Sequence, residues 1–270
     1  MVLGIITVIA MGAALMACLN VGFLGISWLW VTVLTFFGVF LGELLLLFLV
    51  VWIAAKAVDQ NKPQEKDSKF YRFLADQIIA TGIPLLGVRI RAEGMKQIPK
   101  DGRFLLVCNH IHDLDPAVIL SKFRKSQLAF ISKQENSKMF LVGPLMHKLQ
   151  CQLINRENDR QALKTILRCI DMIQKDKASI AVFPEGYVSL DGNLQPLKPG
   201  VFKIAQKANV PVVVCTLRGT KQILKNALRF RSTQVDFHLL KVLPAEHVRE
   251  LSTVDLAHEV YALMAEDLEG

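Results

Sequence analysis

His110, His112, Asp113 and Asp115 fall within six consecutive positions of the stretch Val107–Pro116, VCNHIHDLDP. Two imidazoles and two carboxylates this close have three chemical uses open to them. They could ligate a metal, since His-x-His-Asp-x-Asp offers a plausible donor set. One His and one Asp could form an acid/base pair. The cluster could also be a polar loop without chemistry.

A metallohydrolase of the His-x-His-x-Asp-His type needs a His directly after its Asp. Here Leu114 stands at the Asp position and Asp115 at the His position. His147, His238, His247 and His258 are isolated and lack paired carboxylates at ligand spacing. The acid/base use needs only His110 and Asp115. A carboxylate beside an imidazole fixes its tautomer, orients it and stabilises its protonated form. Pro116 suits the first turn of a helix, so Asp115 is also placed to cap one.

These residues need a scaffold, and the pattern after about residue 70 supplies one. Short apolar runs read as strands over Arg103–Cys108, Leu128–Ser132, Cys151–Asn155, Ser179–Phe183, Pro211–Leu217 and Gln234–Leu240. Helical patterns fill the gaps at Pro116–Phe123, Ser137–Leu149, Asp159–Lys175, Pro199–Lys207 and Val254–Asp267. Apolar strands alternating with helices predict an α/β domain with a mostly parallel central sheet flanked by helices. In such sheets ligands collect beyond the strand ends. The His/Asp cluster follows one strand, "PEG" (Pro184–Gly186) follows another, and Arg156 follows a third.

Ahead of this domain, Glu43 is the only ionisable side chain between Met1 and Ala55, and the apolar run breaks only around "NVGFLGIS", Asn20–Ser27. Crossing a bilayer takes roughly 20 apolar helical residues. Val2–Leu19 and Trp28–Ala55 therefore read as a two-helix membrane hairpin over 1–55, followed by a linker over 56–69 and the domain over 70–270. "LMAC" (Leu15–Cys18) faintly resembles a lipoprotein cleavage site, but no Lys or Arg precedes it, and a signal's first segment is normally basic. Lys56, Lys62, Lys66, Lys69 and Arg72 follow the second span, whereas the link between spans is uncharged. Positive flanks stay in the cytoplasm, which puts the domain on the cytoplasmic side of the cell (inner) membrane.

The formal charge is +8. Setting Glu43 aside leaves 32 basic and 23 acidic residues after the spans, a balance that favours anionic partners such as a lipid surface, phosphorylated substrates or an acidic carrier protein. A nucleic-acid motif is absent, so nucleic acid is not an expected partner. Cys18, Cys108, Cys151, Cys169 and Cys215 form no Cys-x-x-Cys pair and read as buried thiols of a reducing compartment.

"NHIHDLD" (Asn109–Asp115) has the form Asn-His-x-x-x-x-Asp and resembles the first motif of the glycerolipid acyltransferases, in particular the 1-acyl-glycerol-3-phosphate (lysophosphatidic acid) acyltransferases. "LINR" (Leu153–Arg156) is similar to their second motif, "FPEG" (Phe183–Gly186) to the third and "VPVVVCTLRGT" (Val210–Thr220) to the fourth. The likeness runs in order from about Ala92 to Thr220.

The resemblance implies transfer of a fatty acyl group from a thioester to a lysophospholipid hydroxyl, with His110 as general base and Asp115 orienting it. Asn109, Arg156, Glu185, Gly186 and Lys198 would bind substrate: Arg156 the phosphate, Glu185 the glycerol hydroxyls, and Lys198 in "LKPG" a further cation. No cofactor or metal is implied; acyl-CoA or acyl carrier protein brings the acyl group, and membrane lipids are the setting. Three positions depart from the family. Asn155 stands where an acidic residue usually precedes the Arg, Gln150–Cys151 where a Gly opens the second motif, and Tyr187–Val188 where Thr-Arg follows the third. A different lysophospholipid acceptor, a metal-dependent lipid hydrolase on His110, His112, Asp113 and Asp115, and a non-catalytic lipid-binding protein are the competing readings. "MFLVGPLMHKL" (Met139–Leu149) either packs on the sheet, dips into lipid or lines an acyl pocket.

Overall fold

The computed structural model describes residues 2–21, 27–63 and 66–269, so part of the break expected between the spans, and Gln64 and Glu65 of the expected linker, lie outside the described residues. The chain divides into two compact units, Met1–Asp59 and Gln60–Gly270.

The first unit is a pair of helices, α1 (Val2–Val21) and α2 (Ser27–Lys56), both long and apolar enough to cross a membrane. Ile6, Ala10, Ala14 and Cys18 are buried at a spacing of four, a stripe of mostly small side chains along one face of α1. Outward-facing Leu15, Leu34 and Phe37 are about 60% exposed or more, an apolar surface that water does not favour. The hydroxyls of Thr7, Thr32 and Thr35 return to the carbonyls four residues back, at 2.9, 2.8 and 2.7 Å, so they demand no outside partner.

The second unit holds a seven-stranded sheet: β1 (Val88–Glu93), β2 (Leu105–Cys108), β3 (Leu128–Lys133), β4 (Gln152–Ile154), β5 (Ser179–Val182), β6 (Val212–Arg218) and β7 (Thr233–Leu243). Their order is β1-β7-β6-β2-β5-β3-β4, with only β6 and β7 antiparallel to one another. β2, β3, β4, β5 and β6 therefore all end on one side. β1 escapes the pattern of apolar runs because it lies at the sheet edge. Val88, Ile90 and Ala92 face inward while Arg89, Arg91 and Glu93 face out.

Helices cover both faces. α6 (Asp159–Gln174), α7 (Lys203–Ala208), α9 (Ala245–Glu250) and α10 (Thr253–Glu269) close the core over Leu105, Val107, Ile180, Val212 and Val214. α3 (Lys69–Leu85), α4 (Asp115–Lys122) and the short α8 (Ile223–Ala227) close it over Leu106, Cys108, Val213 and Leu217 on the other. β2 is thus buried on both faces, the reason "LLVC" shows no alternation.

α3 was not foreseen. Its inward face includes Gln77 and Thr81 beside Leu74 and Ala75, which dilutes its apolar periodicity. Its first turn is clasped to the sheet: Arg72 grips Asp67 through two bonds of 2.7 and 2.8 Å and also donates to the Leu128 carbonyl. The single helix expected over Ser137–Leu149 is instead a 3-10 turn, Gln134–Lys138, followed by α5 (Val142–Lys148). Pro144 lacks an N–H and suits a first helical turn, and α5 starts just ahead of it.

Candidate active site

His110 and Asp115 meet at the end of β2. The Nδ1 of His110 lies 2.9 Å from Oδ2 of Asp115. That same oxygen accepts the backbone N–H groups of Ile111 (2.7 Å) and His112 (2.8 Å), and Oδ1 accepts the Thr220 hydroxyl at 2.5 Å. Four donors surround one fully buried carboxylate, so Asp115 serves purely as an acceptor. Nδ1 must then carry a proton, leaving Nε2 with its lone pair. Asp115 does not cap α4. Leu114 holds the capping position, and the Asp115 carboxylate reaches back into the loop.

The imidazole is also gripped from the side and through its backbone. The Phe183 ring stacks on it at 3.9 Å between centroids and 12° between planes, a π face that supports an imidazolium. The His110 N–H donates to Glu185 Oε1 (2.6 Å), and the His110 carbonyl accepts from Ser189 N–H (2.7 Å). Glu185 is 0% exposed, and its other oxygen accepts the Gln195 N–H at 2.8 Å. Burial pushes the Glu185 carboxyl above its ordinary pKa, while the two backbone N–H groups and nearby His110 pull it back. Glu185, expected to bind glycerol hydroxyls, therefore has both oxygens committed to holding the His110 and Gln195 backbones. Replacing Glu185 by Gln puts an amide NH2 against one of these N–H donors. The expected outcome is a loss of about 1–3 kcal/mol of stability, read as a lower thermal midpoint together with reduced turnover.

The Asn109 amide is likewise engaged with backbone. Its side chain is buried, donates to the Leu217 carbonyl (3.0 Å) and accepts the Leu217 N–H (2.7 Å). It extends the pairing of β2 and β6 one residue beyond Cys108–Cys215, and so fixes where His110 begins. Two residues on, Gly219 turns at φ +86, and a Cβ there would meet the Gln234 carbonyl oxygen at 2.3 Å. Only glycine allows that approach, which delivers Thr220 to Asp115.

The remaining expected residues stand along the same end of the sheet. Gly186 adopts φ +88 and turns the chain after β5, with the stem of Lys198 running past it. Arg156 follows β4, separated from His110 by the ends of β5 and β3. Its partial burial draws the guanidinium pKa down and the Glu135 charge draws it up. By strand count Lys198 is the nearer cation.

His112 and Asp113 do not join the pair. His112 Nδ1 accepts the Leu114 N–H at 3.1 Å, and Asp113 is exposed. A metal bound to the cluster would have to displace the four donors from Asp115 and this one from His112. Burial pushes the Cys108 and Cys215 thiols well above their ordinary pKa, that of Cys151 to about 11 and that of Cys169 to about 12. They are thiols, not thiolate nucleophiles, at neutral pH. Phe183, Ser189 and Thr220, which contact His110 or Asp115, were not singled out in the sequence, although Phe183 and Thr220 lie within quoted motifs.

The chain is similar to several known proteins. A probable 1-acyl-sn-glycerol-3-phosphate acyltransferase of Mycoplasma pneumoniae is 28% identical over 186 residues, 67% of each chain. A chloroplastic 1-acyl-sn-glycerol-3-phosphate acyltransferase of Brassica napus is 34% identical over 158 residues, 58% of this chain and 44% of its own, so the chain spans less than half of that relative. The crystal structure of the 1-acyl-sn-glycerophosphate acyltransferase PlsC from Thermotoga maritima shares the fold, with a TM-score of 0.62 over 82% of this chain and 86% of its own at 23% identity. The sequence profile of the Acyltransferase family matches residues 89–218. That profile begins in β1 and ends with the last residue of β6, enclosing every strand end that builds the site, and over this span the chain is similar to the acyltransferase family.

Proposed function

We propose that the protein transfers a fatty acyl group from an acyl thioester to the sn-2 hydroxyl of 1-acyl-glycerol-3-phosphate, giving phosphatidic acid. The observation that carries this reading is the 2.9 Å bond between His110 Nδ1 and Asp115, which leaves Nε2 as a base. The names of the relatives support the acceptor.

In this reaction Nε2 takes the proton of the acceptor hydroxyl as its oxygen attacks the thioester carbonyl carbon. The tetrahedral adduct collapses with cleavage of the C–S bond, and the imidazolium returns its proton to the departing thiolate. Asp115 and the Phe183 face stabilise the imidazolium in between. The acceptor oxygen is the nucleophile, so no acyl-enzyme forms. CoA or acyl carrier protein carries the donor acyl group, and no cofactor enters. Arg156 and Lys198 hold the acceptor phosphate. α1 and α2 anchor the chain in the cell (inner) membrane, with the domain on the cytoplasmic side where the positive flank lies.

The test is thiol release from palmitoyl-CoA by detergent-purified protein, with lysophosphatidic acid or lysophosphatidylcholine as acceptor and EDTA throughout. Release that requires lysophosphatidic acid and survives EDTA is expected. Release only with lysophosphatidylcholine would reassign the acceptor to a phosphodiester, in keeping with Tyr187–Val188 at the place of Thr-Arg. Release abolished by EDTA would favour the hydrolase, and lipid binding without release from CoA or carrier-protein thioesters would leave a binding protein. Arg156→Gln should raise the KM for lysophosphatidic acid about 10–100-fold, the worth of a charge-assisted bond, and leave that for palmitoyl-CoA unchanged.

A further inference from the structure

The last helix of the chain ends beside the strand ends that carry the site. In α10 the core-facing residues Leu256, Ala257, Val260 and Met264 recur at helical spacing, and the partly buried Asp267 follows them on the same face. Its carboxylate is fully engaged. Oδ2 accepts the Thr216 hydroxyl at 2.6 Å, Oδ1 lies 2.9 Å from His238 Nδ1, and Arg218 Nη2 stands 3.5 Å from Oδ2. Burial would raise the Asp267 pKa, yet the Thr216 hydroxyl, His238 and Arg218 hold it below the ordinary carboxylate value. Thr216 and His238 are direct cross-strand partners, so one carboxylate straps β6 and β7 to the last turn of α10.

The strap lies where the site needs a fixed backbone. The pairing of β2 with β6 stops at Cys108 and Cys215, and the β6–β7 register shifts between Val214 and Cys215. Beyond that point β6 has only β7 beside it as a strand. Thr216 and Arg218 face α10. Leu217, between them, faces the other way, and its N–H and carbonyl hold the Asn109 amide. Three residues later Thr220 reaches Asp115. A cleft of about 400 Å³ lies between Ile111, Leu217 and Gly219 on one side and Ala265 and Leu268 of α10 on the other, so close packing does not fix the strand ends here.

We propose that Asp267 is a positioning residue for the base. By holding Thr216 and Arg218 it fixes Leu217 and Thr220, which set where His110 begins and where Asp115 lies. The inference rests on His110 being the base, as assigned above, and gives Asp267 no contact with substrate.

The test uses the full chain in detergent, assayed below the thermal midpoint of each variant. Asp267→Ala should lower kcat about 10–100-fold, the cost of a small displacement of a catalytic group, with the KM for lysophosphatidic acid and for palmitoyl-CoA changed by less than about twofold. Thr216→Val should reproduce most of that loss, and the double variant should fall no further than Asp267→Ala, as expected of groups that act together. Glu259→Ala is the control. Glu259 ties the same helix to His247 and Lys241, at 2.7 and 3.6 Å, without touching β6, and its removal should leave kcat unchanged. Unchanged kcat in Asp267→Ala, an equal loss in Glu259→Ala, or additive losses in the double variant would overturn the proposal. A second readout needs no turnover. In protein carrying isotope-labelled histidine, the Nδ1–H resonance of His110, identified by its absence from His110→Ala, should weaken through faster solvent exchange in Asp267→Ala and persist in Glu259→Ala. A resonance indifferent to Asp267→Ala speaks against the strap. A weakened resonance in a protein that transfers no acyl group would uphold the strap and fault the reaction.

Discussion

His110→Ala should lower acyl transfer about 10²–10⁴-fold, the ordinary worth of a positioned general base. The loss should appear in kcat, because nothing in the geometry makes the imidazole a binding group. Its ring lies against Phe183, its Nδ1 is held by Asp115, and only Nε2 is left for a proton. The fold should survive, since the His110 backbone bonds to Glu185 and Ser189 do not involve the side chain. Measured rates of thiol release, with a melting curve as control, decide it. A variant that keeps its rate would remove His110 from the chemistry.

Asp115→Asn should be nearly as damaging for activity and far worse for stability. The carboxylate accepts from Ile111 N–H, His112 N–H, His110 Nδ1–H and the Thr220 hydroxyl. An asparagine keeps one accepting oxygen and presents an NH2 to the donors on the other side. If the amide faces the loop, two backbone N–H groups are orphaned and the imidazole is driven to the wrong tautomer. If it faces Thr220, that hydroxyl must turn around. The first arrangement costs about 1–3 kcal/mol for each orphaned donor. Both a reduced thermal midpoint and a rate loss of about 10² or more are expected. Thr220→Val, which removes only the outermost donor, should show a smaller loss of the same kind.

Much of this architecture is written locally. The strands β2, β3, β5 and β6 are short apolar runs bounded by turns, and each was legible because the middle of a mostly parallel sheet is buried on both faces. β1 was not, since an edge strand alternates, and α3 was not, since polar Gln77 and Thr81 sit on its inner face. The site divides the same way. His110 and Asp115 are five residues apart, so a turn into a helix suffices to join them. The true surroundings of that pair come from positions about 75 to 110 residues on, and no local spacing announces them. Glu185 is the instructive case: its residue type and its place after a strand suggest a ligand for substrate, whereas its two buried oxygens are spent on backbone. The Asn109 amide is likewise bonded to the Leu217 backbone. Which groups an amide or carboxylate satisfies is decided by strand register, a property of pairs of strands and not of a motif.

That long reach has a consequence for the order in which the chain becomes competent. The Asn109 amide finds its partner 108 residues later, and Asp115 its hydroxyl 105 residues later. During synthesis the apolar helices α1 and α2 emerge while β6 must still be made. A nascent chain halted between Asp115 and Leu217 has His110 and Asp115 in place by sequence but lacks the Leu217 backbone that fixes where β2 ends. Contacts of such separation close late, after the loop entropy between them has been overcome. The apolar helices are therefore made early, and the setting of the His110–Asp115 pair is completed late, when the last strands dock.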